Sequence, residues 1–176
     1  ANTRKVKPVG DRSGIASLVV GGEAAKQPVL QGAAIRLAAV WKDGSVGPVL
    51  SKLALDKNTG ADLRQTAMEG LVAIGNADSQ KTLSQLVAKE YPTRVRMVAA
   101  GGLARLSPET AMKAAAEVLA GAAAADDPAP LLAPILDRKG GADLLAAAIV
   151  ASPPPVDVAK RSLRYMYSVG RNDAQL

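Results

Sequence analysis

The stretch from Leu63 to Gly75 has a pattern that occurs again later in the chain. It reads Leu63-Arg64-x-x-Ala67-x-x-x-Leu71-x-x-Ile74-Gly75. A second copy reads Val158-x-x-x-Ser162-x-x-x-Met166-x-x-Val169-Gly170. Apolar residues at i, i+4, i+8 and i+11 lie on one face of an α-helix, and a glycine directly after them is typical of a helix C-terminus. The pattern therefore predicts two α-helices, one ending at Gly75 and the other at Gly170.

Further copies of this helix recur with a period of about 32 residues. They read Val29-x-x-x-Ala33-x-x-x-Leu37-x-x-Val40 and Val95-Arg96-x-x-Ala99-x-x-x-Leu103-x-x-Leu106. The spacing of the small central residue places one more copy near Leu131. Three prolines in that copy, Pro128, Pro130 and Pro134, are expected to shorten or kink its helix.

A second helix is predicted after each of these first helices. Asp78 and Asp173 stand three residues after a glycine, where the N-cap of such a helix would lie. Apolar side chains then recur at helical spacing, at Val49, Leu50, Leu53; Leu83, Leu86, Val87; and Ala115, Val118, Leu119. Residues 11–20 resemble a second helix without its first, with Ile15, Leu18 and Val19 as the apolar face. Because one hairpin cannot bury both of its faces alone, stacked hairpins are expected to share a core.

The composition agrees with a core of closely packed helices. The chain has 35 alanines and no Phe, His or Cys. These absences exclude disulfides, thiol nucleophiles, zinc sites of the usual ligand type and a Ser-His-Asp triad. Small residues at 99–102 (Ala-Ala-Gly-Gly) are expected to let the third first helix approach its neighbours closely, at a cost in helix propensity.

These motifs resemble a HEAT repeat of the short bacterial, lyase-associated type. The resemblance implies a right-handed α-solenoid of about five helical hairpins, of which the first and last are incomplete. The solenoid would form one domain over residues 11–176, after a basic tail at residues 1–10. It also implies that Arg64 and Arg96 are structural, because such arginines bond to acidic or carbonyl groups of the neighbouring repeat. No polar cap is visible at the C-terminal end, so we expect the chain to be a piece of a longer multidomain protein that exposes apolar surface there.

The repeat specifies an architecture and no reaction, so we expect a non-catalytic, monomeric scaffold or spacer with no cofactor. Its partner would be another protein or a neighbouring domain of the same chain. The predicted partner face lies on the second helices, at Lys52, Ser79, Lys81, Gln85, Lys89 and Lys113. Trp41, the single tryptophan, is expected to pack over the turn after its helix or, if exposed, to anchor a partner.

Nucleic-acid binding is the alternative, because the formal charge is +6. Some bacterial DNA glycosylases are HEAT-like solenoids that hold duplex DNA in a basic groove. Here residues 1–12 carry a net charge of +3 and residues 156–176 carry +2, which leaves +1 for the middle of the chain. Phosphate tracking needs clustered basic side chains, so such a module would have to use the basic ends.

A wider similarity bears on the compartment. Alanine-rich, truncated arrays of this kind are similar to the HEAT segment of multidomain proteins of planctomycete-type bacteria, between a propeller-like dehydrogenase region and a c-type cytochrome module. That resemblance implies an extracytoplasmic spacer, and without it a cytoplasmic location is expected. Any haem would belong to a flanking domain, because this sequence has no Cys-x-x-Cys-His. No apolar run approaches the ~20 residues that a membrane-spanning helix needs.

Overall fold

The computed structural model describes residues 13–20 and 26–173 of the chain. These residues form ten α-helices and no β-strand, which confirms the predicted all-α class. In chain order the helices are α1 (Ser13–Val20), α2 (Pro28–Val40), α3 (Gly47–Leu55), α4 (Ala61–Ile74), α5 (Ala77–Leu86), α6 (Thr93–Leu106), α7 (Pro108–Ala120), α8 (Ala129–Leu136), α9 (Gly141–Ala151) and α10 (Val156–Ser168). A 3-10 helix (Gly44–Val46) precedes α3. The first helices of the predicted hairpins are α2, α4, α6, α8 and α10, and the second helices are α3, α5, α7 and α9.

The chain packs as two compact units, Ala1–Thr82 and Leu83–Leu176, and the division falls within α5. We call them the N-terminal unit and the C-terminal unit and describe each by itself. The predicted basic tail at residues 1–10 lies outside the described residues. The prediction of a single solenoid domain over residues 11–176 stays a prediction.

In the N-terminal unit, α4 contacts both α2 and α3, and α1 contacts α2. The core is formed by fully buried aliphatic side chains, among them Ile35 of α2, Leu50 of α3 and Leu71 of α4. On α1 the predicted apolar face is buried at Val19, whereas Leu18 is 39% exposed. Each helix of this unit therefore contributes aliphatic side chains to a core without aromatic rings.

In the C-terminal unit, the helices form pairs whose members contact the next pair. The first helix α6 contacts its partner α7 and the next first helix α8, and α8 in turn contacts α9 and α10. The second helix α7 contacts the next second helix α9. The largest fully buried side chains come from successive helices: Leu103, Leu119, Leu131 and Leu145. The core of this unit thus runs between a row of first helices and a row of second helices.

The ends of the predicted first helices are confirmed where glycine was expected to stop them. Gly75 adopts a left-handed conformation with φ 69° and donates its N–H to the carbonyl of Leu71. Gly170 has φ 72° and follows α10. Side chains other than glycine rarely adopt this conformation, so both positions favour Gly. The shortened helix of the fourth copy is also confirmed, since α8 has only 8 residues and contains Pro134.

The prediction that Asp78 caps α5 is wrong, because Asn76 occupies that role. The Oδ1 atom of Asn76 accepts a hydrogen bond of 2.8 Å from the backbone N–H of Ser79. The helix begins at Ala77, so Asp78 already lies in its first turn. Asn is as good an N-cap as Asp, since its side-chain oxygen also accepts from the free N–H groups of the first turn.

We expect Asn76→Ala to lower the free energy of unfolding by about 1 kcal/mol, because it removes this cap. Asp78→Ala is the matched control. It removes only a favourable charge near the helix N-terminus, so its cost should stay below about 0.5 kcal/mol. Urea unfolding followed by far-ultraviolet circular dichroism measures both values. If Asp78→Ala lost more unfolding free energy than Asn76→Ala, Asp78 and not Asn76 would be the capping residue.

The predicted register of the first copy, on α2, is wrong by one residue. Ala33 was predicted to be the small core residue, but it is exposed, and its neighbour Ala34 is buried at 5% exposure. Val29, predicted to begin the apolar face, is 86% exposed. Two apolar patterns overlap in this alanine-rich helix, and burial follows the one through Ile35 and Ala38.

None of the helices in the described ranges combines the length and the apolar character that a membrane-spanning segment requires.

Candidate interaction surface

A repeated hydrogen bond ties three first helices to the helix before each of them. In α4, Arg64 donates from Nη2 to the carbonyl of Asp56, at 2.7 Å. In α6, Arg96 donates from Nε to the carbonyl of Val87, at 3.0 Å. In α2, Gln31 donates from Nε2 to the carbonyl of Val19, at 2.8 Å.

These three bonds share one geometry. Gln31, Arg64 and Arg96 are each the fourth residue of their helix, and each side chain is at most 7% exposed. Each accepting carbonyl lies at or just beyond the C-terminal end of the preceding helix, where carbonyls lack partners within the helix. We call this set of three bonds the carbonyl ladder. Arg64 and Arg96 are buried and bond to a carbonyl at the end of the preceding helix, which is the kind of contact that the repeat resemblance implies for them.

Sequence reasoning missed Gln31 because of the register error in α2. With the observed register, Gln31 precedes Arg64 by 33 residues, and Arg64 precedes Arg96 by 32. The signal that could have identified Gln31 is the one shared with Arg64 and Arg96: a long side chain with a hydrogen-bond donor at the fourth position of the helix.

The predicted partner face is exposed at most of its positions. In the N-terminal unit Lys52 and Lys81 are exposed. In the C-terminal unit three residues are exposed: Gln85, Lys89 and Lys113. The prediction that Lys89 lies on a second helix is wrong, because α5 ends at Leu86. Nothing in their surroundings marks these side chains as binding residues, so the basic face stays a prediction.

Ser79 is removed from the predicted face. Its side chain is only 1% exposed, and its hydroxyl oxygen is buried without a hydrogen-bond partner. Ser79 follows the capping residue in the first turn of α5, where it faces the protein interior rather than solvent. The sequence pattern placed it between polar neighbours, which gave no indication of this burial.

The surroundings of Trp41 favour packing over the turn after its helix rather than a role as an exposed anchor for a partner. Trp41 directly follows α2 as the helix C-cap and is partly buried. Its indole Nε1 is buried and has no hydrogen-bond partner. An anchor needs the polar edge of the ring to be accessible, and that edge is enclosed here.

The second helices differ sharply in the residues that they expose. α5 and α7 expose mostly polar side chains, and α3 exposes only a proline and a lysine. These residues are Pro48 and Lys52 of α3, Ala77, Asp78, Lys81, Ser84 and Gln85 of α5, and Glu109, Thr110, Lys113 and Glu117 of α7. In α9, by contrast, the exposed residues are Asp143, Leu144, Ala147, Val150 and Ala151. Four of these five α9 residues are apolar.

The apolar residues on the exposed side of α9 form a continuous stripe. At 100° per residue, Leu144, Ala147, Val150 and Ala151 fall within an arc of about 120°. We call these four residues the α9 apolar face. Leu144 is 43% exposed and Val150 is 84% exposed. Because the opposite side of α9 is also apolar, with Leu145 fully buried, this helix is apolar on all sides beyond Asp143, which lies in its first turn within the arc of the stripe. Such a helix is normally buried on every side.

The end of α10 adds exposed apolar side chains and an ion pair. Tyr167 is 63% exposed and Val169 is 48% exposed. Arg171 forms two hydrogen bonds to the carboxylate of Asp173, at 2.9 and 3.1 Å, and this pairing raises the pKa of the Arg171 guanidinium. Asp173, predicted to cap a further helix, therefore pairs with Arg171 within the described residues. Any helix that it would cap lies outside them.

Among the described residues of the N-terminal unit, the large apolar side chains that are exposed belong to α1 and α2 rather than to α3 or α5. They are Leu18, Val29, Leu30 and Val40. The expectation that the C-terminal end exposes apolar surface because the chain is a piece of a longer protein stays a prediction.

Within the described residues, no group of three or more His, Cys, Asp or Glu side chains is arranged to hold a metal ion. No family model matches the chain, and no curated protein or solved structure matches it either.

Proposed function

We propose that this chain is a non-catalytic helical-repeat scaffold of the HEAT-like, right-handed α-solenoid type. Its function is to bind another protein or a neighbouring domain of its own chain. The observation that carries the proposal is the α9 apolar face, a stripe of Leu144, Ala147, Val150 and Ala151 on the exposed side of a second helix.

The carbonyl ladder supports the repeat part of the proposal. Three first helices place a donor at the same helical position and bond it to the end of the preceding helix. Consecutive units of a repeat protein are expected to reuse one contact in this way, because each unit packs only on its neighbours. The paired rows of α6 to α9 in the C-terminal unit support the same interpretation.

The chemistry of α9 supports a protein partner. Apolar surface gains free energy when it leaves water, at about 25 cal/mol per Å2, and a contiguous exposed apolar stripe is typical of a protein-binding surface. Nucleic acid offers phosphates, which need basic side chains instead. The exposed part of α9 has no lysine or arginine, and its single charge is the carboxylate of Asp143.

Site-specific photocrosslinking tests the location of this surface. A photoreactive benzophenone amino acid is placed either at Val150 or, as the matched control, at Lys113 on the polar exposed side of α7. In extracts of cells that produce the chain, we expect a covalent adduct with a second protein from position 150 and little from position 113. Adducts from position 113 alone, or adducts only between copies of this chain, would contradict the proposal.

Charge substitution then tests whether the captured contact depends on the stripe. We expect the double variant Leu144→Glu/Val150→Glu to weaken binding of the purified partner by at least about tenfold, because each carboxylate must lose its water in an apolar contact. Both positions are exposed, so the fold should persist, which circular dichroism verifies. Lys113→Glu is the control, because it changes the net charge by the same amount. The affinity of this variant for the purified partner should stay within about twofold of that of the parent chain.

A further inference from the structure

The C-terminal unit contains a cavity that the proposed scaffold function does not use. It has a volume of about 160 Å3 and lies between α7, α8, α9 and α10. Four buried side chains form its floor: Leu119, Leu132, Leu145 and Met166, each at most 3% exposed. Other lining residues, among them Ala159, are partly exposed, so the cavity has an opening to solvent.

The cavity lies in the part of the C-terminal unit that follows the last bond of the carbonyl ladder. The fourth residue of α2, α4 and α6 is Gln or Arg, and its long side chain fills the space against the preceding helix. The fourth residue of α10 is Ala159, whose side chain is a single methyl group and which lines the cavity. The fourth residue of α8, Leu132, lines it from the other side. Space that a ladder side chain occupies elsewhere is therefore empty at this position.

The walls determine which chemistry fits. The lining side chains are aliphatic or thioether groups except for Ser162. The hydroxyl of Ser162 already donates a hydrogen bond of 2.9 Å to the carbonyl of Val158, so its proton is not available to a ligand. No charged side chain lines the cavity. A ligand that accepts hydrogen bonds would lose those to water there without replacement, and a donor would find only the hydroxyl oxygen of Ser162, whereas a non-polar ligand has none to lose.

We propose that this cavity is a binding site for a small non-polar molecule of about six to eight carbon atoms. An apolar protein cavity of about 150 Å3 accommodates benzene, and this cavity is of similar size. The site is independent of the α9 apolar face, since Leu145 of α9 points into the cavity while Leu144 and Val150 lie on the exposed side of the helix.

The test uses toluene as the probe and the whole 176-residue chain. We expect saturating toluene to raise Tm by about 3 °C, since a ligand that binds only the folded state stabilises it by mass action. 4-Methylpyridine in its neutral form, which has the shape of toluene, should bind at least about threefold more weakly, because its ring nitrogen only accepts hydrogen bonds and finds no free donor in the cavity. If toluene gives no shift, or 4-methylpyridine binds as well as toluene, the proposal is wrong.

Two variants locate the site. Ala159→Leu fills the cavity and should abolish the toluene shift. Arg164→Leu adds the same side chain at an exposed position of α10 outside the lining, and it should keep the shift. A shift that persists in folded Ala159→Leu would place toluene elsewhere and overturn the proposal.

A spectroscopic measurement covers the case in which Ala159→Leu does not fold. The chain has four methionines, and Met166 is the one that lines the cavity. With 13C-labelled methionine methyl groups, toluene should shift the resonance of Met166 and leave that of Met68, in the N-terminal unit, unchanged. An unmoved Met166 resonance at a saturating toluene concentration would contradict the proposal regardless of the variants.

Discussion

Replacing Gly101 by alanine is expected to lower the free energy of unfolding by roughly 2–3 kcal/mol, although alanine is the better helix former. A Cβ atom at this position would collide with the backbone carbonyl oxygen of Pro130 and would come within 3.3 Å of the Cα atom of Leu131. Backbone atoms of α8 cannot rotate away as a side chain can, so α6 and α8 would have to separate. The buried contact between these two helices depends on the absence of a side chain at Gly101.

Two glycines in the N-terminal unit provide graded controls for this prediction. At Gly70 a Cβ atom would meet only the tips of side chains, 2.8 Å from Cδ1 of Leu50 and 3.2 Å from Cγ2 of Ile35, and these can shift. Gly70→Ala should therefore cost less than Gly101→Ala. At Gly32 the nearest atom is the flexible end of Arg36, at 3.8 Å, so Gly32→Ala should stabilise the protein by about 0.5–1 kcal/mol. Urea unfolding of the three variants gives the order, and a Gly101→Ala variant as stable as the parent would contradict the close approach of α6 and α8.

Replacing Arg96 by methionine is expected to cost roughly 2–3 kcal/mol. Arg96 is 7% exposed, and its Nε donates to the carbonyl of Val87 just beyond the end of α5. A hydrogen bond from a charged donor contributes about 1.5–3 kcal/mol, and the cation also favours the negative end of the helix dipole. Methionine keeps much of the aliphatic stem, so the loss reports the guanidinium rather than its packing.

Arg105→Met is the matched control for the Arg96 variant, because Arg105 lies on the same helix and is exposed. Its cost should stay below about 0.5 kcal/mol, as for most surface substitutions. Equal losses at the two positions would show that the carbonyl ladder contributes nothing specific. Arg64→Met should behave like Arg96→Met in the N-terminal unit, since Arg64 makes the corresponding bond to Asp56.

The sequence predicted the helices well, because their signals are local. Spacing of apolar residues located four of the five first helices, and the glycines after two of them marked the ends now seen at Gly75 and Gly170. These signals act within one or two helical turns, so no knowledge of the neighbouring helices was needed. The fifth, α8, was placed by the repeat period, and its prolines correctly predicted that it is short.

Two predictions were wrong by one or two residues, the register of α2 and the N-cap of α5. In α2 the abundance of alanine left two registers possible, and only packing against α4 selects the one that buries Ala34. At the start of α5 both Asn76 and Asp78 were chemically able to cap, and the backbone conformation at Gly75 decides in favour of Asn76.

The surface was the least predictable part. Polar residues on the second helices suggested a binding face, but Ser79 is buried and the lysines carry no distinguishing contact. The run from Leu144 to Ala151 gave no hint of an exposed stripe, because an apolar helix is expected to be buried. Likewise the cavity beside Ala159 could not be predicted, because its lining comes from four helices that are far apart in the sequence.

Binding through the α9 apolar face is tested with the partner captured at Val150. Its affinity is measured for the parent chain and for Leu144→Glu/Val150→Glu, each at low and at physiological salt. We predict at least about tenfold weaker binding by the double variant, and less than about threefold change in the parent's affinity between the two salt concentrations, since apolar contacts are weakly screened. Unchanged binding by the double variant, or a steep loss of affinity with salt, would contradict a scaffold that binds through the α9 apolar face.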